Sequence, residues 1–105
     1  MTLNETTWHF ITNHGLVLSY IEHNPSHTAR EISIEVNITE RTTHKIIKDL
    51  EDAGYIIKEK KGRNNSYTIE TDLRLRHPSK DHVSIAKFLD ALSLDDTDYK
   101  KHINY

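Results

Sequence analysis

The stretch from Thr28 to Ile69, TAREISIEVNITERTTHKIIKDLEDAGYIIKEKKGRNNSYTI, decides the fold. Thr28-Ala29-Arg30-Glu31 is a capping box: the threonine hydroxyl accepts from the amide three residues on, and the glutamate there reaches back to the cap amide. A short helix follows through Val36, with Ala29, Ile32 and Val36 facing inward. Asn37 suits the left-handed residue that closes a helix, Ile38 plugs the turn, and Thr39 caps the next helix. That second helix is expected over 40–53, with Thr43, Ile46, Ile47 and Leu50 as its buried stripe and Gly54 as its end. Only Asn37, Ile38 and Thr39 separate the two helices, and so short a turn forces a steep crossing.

Downstream the period changes. Tyr55 to Lys60 is β-prone, Gly62-Arg63-Asn64-Asn65 is turn chemistry, and Ser66-Tyr67-Thr68-Ile69 alternates as a half-buried strand should. The expected unit is two crossed helices followed by a β-hairpin with a basic, amide-rich tip.

Upstream, Thr12 can cap a helix to about His23, with Leu16, Val17, Tyr20 and Ile21 as one apolar stripe. Asn24-Pro25 ends it, because the residue before proline is pushed out of the helical region. Ser26-His27 is too short to assign, although an extended segment against the hairpin fits there. Trp8 and Phe10, in a segment spanning 1–11, are expected to pack against the domain or a second subunit. Residues 71–80 look like a connector. Asp81 to about Ser93 is expected to form an amphipathic helix carrying Val83, Ile85, Ala86, Phe88, Leu89 and Leu92. The tail from Leu94 is polar, with Tyr99, Ile103 and Tyr105 as its docking candidates. The fold class is mainly α with a small β-hairpin (α+β): one domain over 12–70, with a helix and tail over 81–105.

At 105 residues the chain fits one domain. No apolar run approaches the roughly 18 residues of a membrane span, and MTLNETTWHF lacks the basic and apolar regions of a secretory signal, so a cytoplasmic home is expected. There are no cysteines, which excludes disulfides and thiolate zinc sites. The net charge is −2, but its distribution is uneven: residues 1–40 sum to −4, residues 41–71 to +2 and residues 72–105 to zero. The positive charge sits on the second helix of the crossed pair and on the hairpin, a local footprint for a polyanion. No glycine-rich phosphate loop, nucleophile elbow or helix-borne His-Glu zinc motif occurs, so no enzymatic activity and no cofactor are expected. His77, His82 and His102 with Asp81 lack the spacing of a metal site.

Thr28-Ala29-Arg30-Glu31-Ile32, Asn37-Ile38-Thr39-Glu40-Arg41, Leu50-Glu51-Asp52-Ala53-Gly54-Tyr55-Ile56 and Gly62-Arg63-Asn64-Asn65-Ser66-Tyr67 together resemble winged helix-turn-helix regulators of the MarR and ArsR type. The helix-to-wing junction DLEDAGYI is the most specific piece. The resemblance implies a prokaryotic transcription regulator acting as a homodimer on palindromic double-stranded DNA. The chain is shorter than a typical MarR protein and lacks the cysteine sensor of many ArsR proteins, so an effector ligand is left open.

On this reading, Arg41 donates bidentately to guanine, and Thr42 and His44 offer further base contacts. Lys45, Lys48 and the cap residue Thr39 meet phosphates. Arg63 suits a narrow minor groove, with Asn64 and Asn65 on sugar or phosphate. Trp8, Val83, Phe88, Leu89 and Leu92 are the candidates for a dimer seam. The alternative is a winged-helix protein–protein module without DNA binding, since the fold alone does not fix function. A single-strand binder is less well served, because the wing tip lacks an aromatic stacking platform.

Overall fold

The computed structural model describes residues 8–93. The elements run α1 (Asn13–His23), α2 (Ala29–Val36), α3 (Glu40–Asp52), β1 (Ile56–Lys61), β2 (Asn64–Ile69), a 3₁₀ turn (Pro78–Lys80) and α4 (Ile85–Ser93). β1 and β2 form a two-stranded antiparallel sheet.

Local chemistry accounts for each boundary. Thr12 caps α1 by accepting from the Gly15 amide at 3.1 Å. The capping box of α2 is complete: Glu31 N donates to Thr28 Oγ1 at 3.1 Å, and Thr28 N to Glu31 Oε1 at 2.7 Å. Asn37 takes the left-handed conformation, φ 64 and ψ 49, and the Ile38 amide returns to Ser33 O at 3.0 Å. Thr39 caps α3 by accepting from the Thr42 amide at 3.0 Å. α3 ends in a Schellman closure. Gly54 has φ +85, its amide bonds Glu51 O at 3.0 Å, and the Tyr55 amide bonds Leu50 O at 2.9 Å.

α1 is the pillar of the core, packing on α2, α3, α4 and the hairpin. Val17, Leu18 and Ile21 meet Ile32 of α2, Ile46, Ile47 and Leu50 of α3, Tyr55 and Ile56 at the start of the wing, and Ile85 and Leu89 of α4. Thr43 is also fully buried, its hydroxyl bonded to Thr39 O at 3.0 Å. Two expectations for α1 need correction. Leu16 is 37% exposed, while Leu18, left out of the stripe, is buried. Leu18 is buried because α4 covers a second flank of α1, which a stripe chosen for one neighbour does not include. Gly15 marks that approach, since a Cβ there would lie 3.2 Å from Phe88 Cζ and 2.9 Å from Ile11 Cγ2.

α4 is therefore part of the core rather than an appended helix. It starts at Ile85, not Asp81, and Ser84 caps it by accepting from Lys87 N at 3.2 Å. Residues 71–84 are more than a connector. They fold back through an Arg74–Ser84 bridge, with Leu75 N to Val83 O at 3.0 Å and Ile85 N to Leu73 O at 2.8 Å. The Tyr55 hydroxyl pins this loop by donating to Arg74 O at 2.6 Å. Trp8 and Phe10 stack edge to face, 5.1 Å apart, and are 65% and 91% exposed. Of the two expected partners, the domain and a second subunit, the domain does not bury them. The docking candidates Tyr99, Ile103 and Tyr105, and His102, lie outside the described residues. Among the described residues no helix is long and apolar enough to cross a membrane.

Candidate nucleic-acid interface

Helical geometry sorts the side chains of α3. At about 100° per residue, the buried Thr43, Ile46, Ile47 and Leu50 fix the inward direction. Arg41, Lys45 and Lys48 then point straight out, and all three are exposed. Glu40, His44 and Glu51 lie on one flank, and Thr42 and Asp49 on the other.

The flank of Glu40 and His44 faces the wing. These two residues line a concavity of about 240 Å³ together with Ser26 to Arg30 and with Arg63, Asn64, Asn65 and Tyr67 of the hairpin. The wing is tied to the domain at its base: Tyr67 N donates to Pro25 O at 3.0 Å. That single bond takes the place of the extended segment considered for Ser26-His27. The tip is tighter than expected. Register pairs Lys61 with Asn64, which leaves only Gly62 and Arg63 as loop, and Gly62 takes φ 64 as the first residue of a two-residue hairpin requires. Asn64 and Asn65 are strand residues, not turn residues. They are exposed, opposite Lys61 and Lys60 respectively. Burial pushes the Tyr67 hydroxyl pKa up, and the Glu51 carboxylate adds to the rise.

The two outward lysines are held in light ion pairs, and on the wing-side flank the His44 ring lies near Glu40. Lys45 Nζ is 3.2 Å from Asp49, Lys48 Nζ is 3.4 Å from Asp52, and His44 Nε2 is 3.6 Å from Glu40. Among the described residues, Arg41 and Arg63 have no carboxylate within 4.0 Å of their guanidinium groups. Asp49 also accepts from the His14 ring of α1 at 2.8 Å. The His14 bond, and then Lys45, hold the Asp49 carboxyl below its ordinary pKa. This clamp fastens the middle of α3 to α1.

The other sequence-predicted site residues divide. Thr39 is exposed, but its hydroxyl is committed: it accepts from Thr42 N and donates to Thr42 Oγ1 at 2.9 Å. Thr42 is half-buried and lies on the flank away from the wing. For the seam candidates the structure makes one clear correction: Leu89 is 0% exposed inside the chain's own core, so it has no surface to offer a partner. Val83, Phe88 and Leu92 are half-buried and Trp8 is exposed. Sequence reasoning passed over Arg30 and Glu40. Arg30 is exposed on the first turn of α2 and borders the concavity under the wing only because the steep crossing brings that turn beside it. Among the described residues no three His, Asp or Glu side chains come together as a metal site.

A family model described as winged helix-turn-helix DNA-binding matches residues 12–57. No curated protein matches the sequence. Eleven chains of solved structures match this one. Among them is MepR, described as a transcription regulator of the Staphylococcus aureus multidrug efflux pump MepA, at 14% identity and a TM-score of 0.52, with 88% of this chain and 71% of that chain covered. The family model covers α1, α2, α3 and the first residues of β1, the structural match extends over the wing and α4 as well, and the fold of this chain is the winged helix.

Proposed function

We propose that the chain is a sequence-specific, double-stranded-DNA-binding transcription regulator. The observation that carries this is the outward row Arg41, Lys45 and Lys48, exposed on the helix next to a wing tip built on Arg63. α3 enters the major groove and its N-terminal turns meet base edges first. Arg41, with no acid of its own to satisfy, is free to bond guanine, while the two lysines exchange their weak intrahelical pairs for phosphates. Arg63 reaches the adjacent minor groove or backbone. Among known winged helices, MepR regulates an efflux pump, and a regulatory role is carried to this chain as part of the proposal.

The acting form is a homodimer. Its seam draws on the exposed Trp8 and Phe10 and on the open edges of Val83, Phe88 and Leu92. Leu89 serves only the core. The test is selection of bound duplexes from a random pool at two salt concentrations. An enriched palindrome is expected, with affinity falling steeply as salt rises. A pool without enrichment refutes the regulator, and an enriched single half-site refutes the dimer.

A further inference from the structure

Glu40 is an acid in the wrong electrostatic place. It opens the helix whose next exposed residue is Arg41, and it borders the same concavity as Arg30 and Arg63. A carboxylate so close to a docked phosphate backbone repels it.

The usual explanation for a first-turn acid is capping or the helix dipole. In α2 capping is fully realised, with Glu31 bonded to the Thr28 amide at 2.7 Å. In α3 it is not. The third helical position, from which a glutamate reaches back to the cap, is Thr42, whose hydroxyl bonds Thr39 instead. Glu40 is at the first position. Among the described residues it makes no hydrogen bond through its carboxylate, and its ionisable neighbour is His44, with Nε2 at 3.6 Å. The dipole favours an acid here but gives no reason for it to face the wing.

A carboxylate can only accept. The major groove offers two donors, the N4 amino group of cytosine and the N6 amino group of adenine. Adenine sets its N7 acceptor beside N6, where a carboxylate meets a lone pair, so cytosine is the better match. Resting on the regulator reading, we infer that Glu40 is a specificity-determining residue that accepts a hydrogen bond from a cytosine amino group in the bound duplex. His44 Nε2, 3.6 Å away, is its neighbour on the wing side of α3. A repulsive group is then useful: it weakens every wrong sequence and is offset only where the amino group is present.

The experiment compares wild type, Glu40→Ala and Glu40→Gln by duplex selection and by anisotropy titrations on every single-base variant of the selected site. Thermal melting of each protein is recorded alongside. Wild type is expected to prefer C·G at one position per half-site, by roughly ten-fold or more over other pairs. Glu40→Ala should lose that preference while binding random-sequence DNA more tightly than wild type, a pair of opposite changes that a merely structural residue does not give. Glu40→Gln should shift the same position towards A·T, because glutamine pairs bidentately with adenine N6 and N7. A Glu40→Ala protein that melts like wild type and selects the same site overturns the inference and leaves the regulator standing. A wild type that selects no sequence overturns both.

Discussion

On the proposed reading of the interface, Lys48 is the residue at which anchoring separates from sequence reading. Its side chain is 76% exposed and its Nζ lies 3.4 Å from Asp52, one turn along the same helix. An exposed pair of this kind contributes only about 0.3–0.5 kcal/mol, so a phosphate displaces the carboxylate at little cost. Lys48→Ala then removes one phosphate contact per protomer. Each contact adds about 0.9 to the slope of log affinity against log salt, so the proposed dimer would lose about 1.8. From about 50 to 200 mM salt, the gap in affinity between wild type and variant should shrink by about 12-fold. The assay is a salt series of anisotropy titrations on the selected duplex and on a scrambled one. The variant should show the shallower slope on both, because a phosphate carries no sequence. Equal slopes for variant and wild type, or a loss confined to the selected duplex, refute the assignment of Lys48 to the backbone. Arg41→Ala provides the contrast, costing discrimination on the selected duplex far more than binding to the scrambled one.

Further outcomes follow from the supporting contacts. Asn37→Ala places a side chain without local hydrogen bonding at φ 64 and should lower stability by about 1 kcal/mol, read as a melting temperature lower by roughly 4–8 °C, whereas Asn37→Gly should melt at or above wild type. The Asp49 carboxyl is held below its ordinary pKa by His14 and then Lys45. Its stabilising contribution is therefore complete above the unfolded value near 4 and is lost as pH falls through the lower folded value. Melting measured between about pH 5 and 2 should show Asp49→Asn with a shallower acid limb than wild type, though not a flat one, since Glu31, lowered by its bond to the Thr28 amide, titrates in the same direction. Leu89→Ala should cost about 2–5 kcal/mol of stability as a core cavity, while Trp8→Ala should leave melting of the protomer almost unchanged and weaken self-association in sedimentation.

The crossed helices were legible because each boundary rests on chemistry local in sequence: a hydroxyl and a glutamate three apart at Thr28, a left-handed asparagine at 37, a glycine at 54. Such signals survive without knowledge of the neighbours. What failed depended on the tertiary partner. Leu18 falls outside the expected stripe because α1 meets α4 as well as α3, and two neighbours widen the buried sector. Asp81–Ser84 looked helical because Val83, three residues before Ala86, counts towards a wide apolar face. Yet the Leu75–Val83 and Ile85–Leu73 backbone bonds claim those groups for a bridge. Asn64 and Asn65 have turn chemistry, but Gly62 alone supplies the positive φ that a two-residue loop requires, so they pair with Lys61 and Lys60 instead.

The charge count shows the same limit and also what lies beyond it. Summed over its length, α3 carries Arg41, Lys45 and Lys48 against Glu40, Asp49, Glu51 and Asp52, a helix with no excess of positive charge. Rotation about the helix axis changes the meaning of that sum. The cations share the outward line, Asp49 is drawn aside by His14 at 2.8 Å, and Glu40 and Glu51 sit on the flank under the wing. Only Asp52 stays in line, a full turn beyond Lys48 and farthest from the end of the helix that enters a groove. A polyanion approaching along the outward line meets three cations first. One that is rolled towards the wing meets Glu40 and Glu51. On the proposed reading these acids narrow the range of docking angles, Glu40 being tolerated only where a base amino group meets it, and a candidate interface on a protein of net charge −2 would be selective because most approaches to it are repelled.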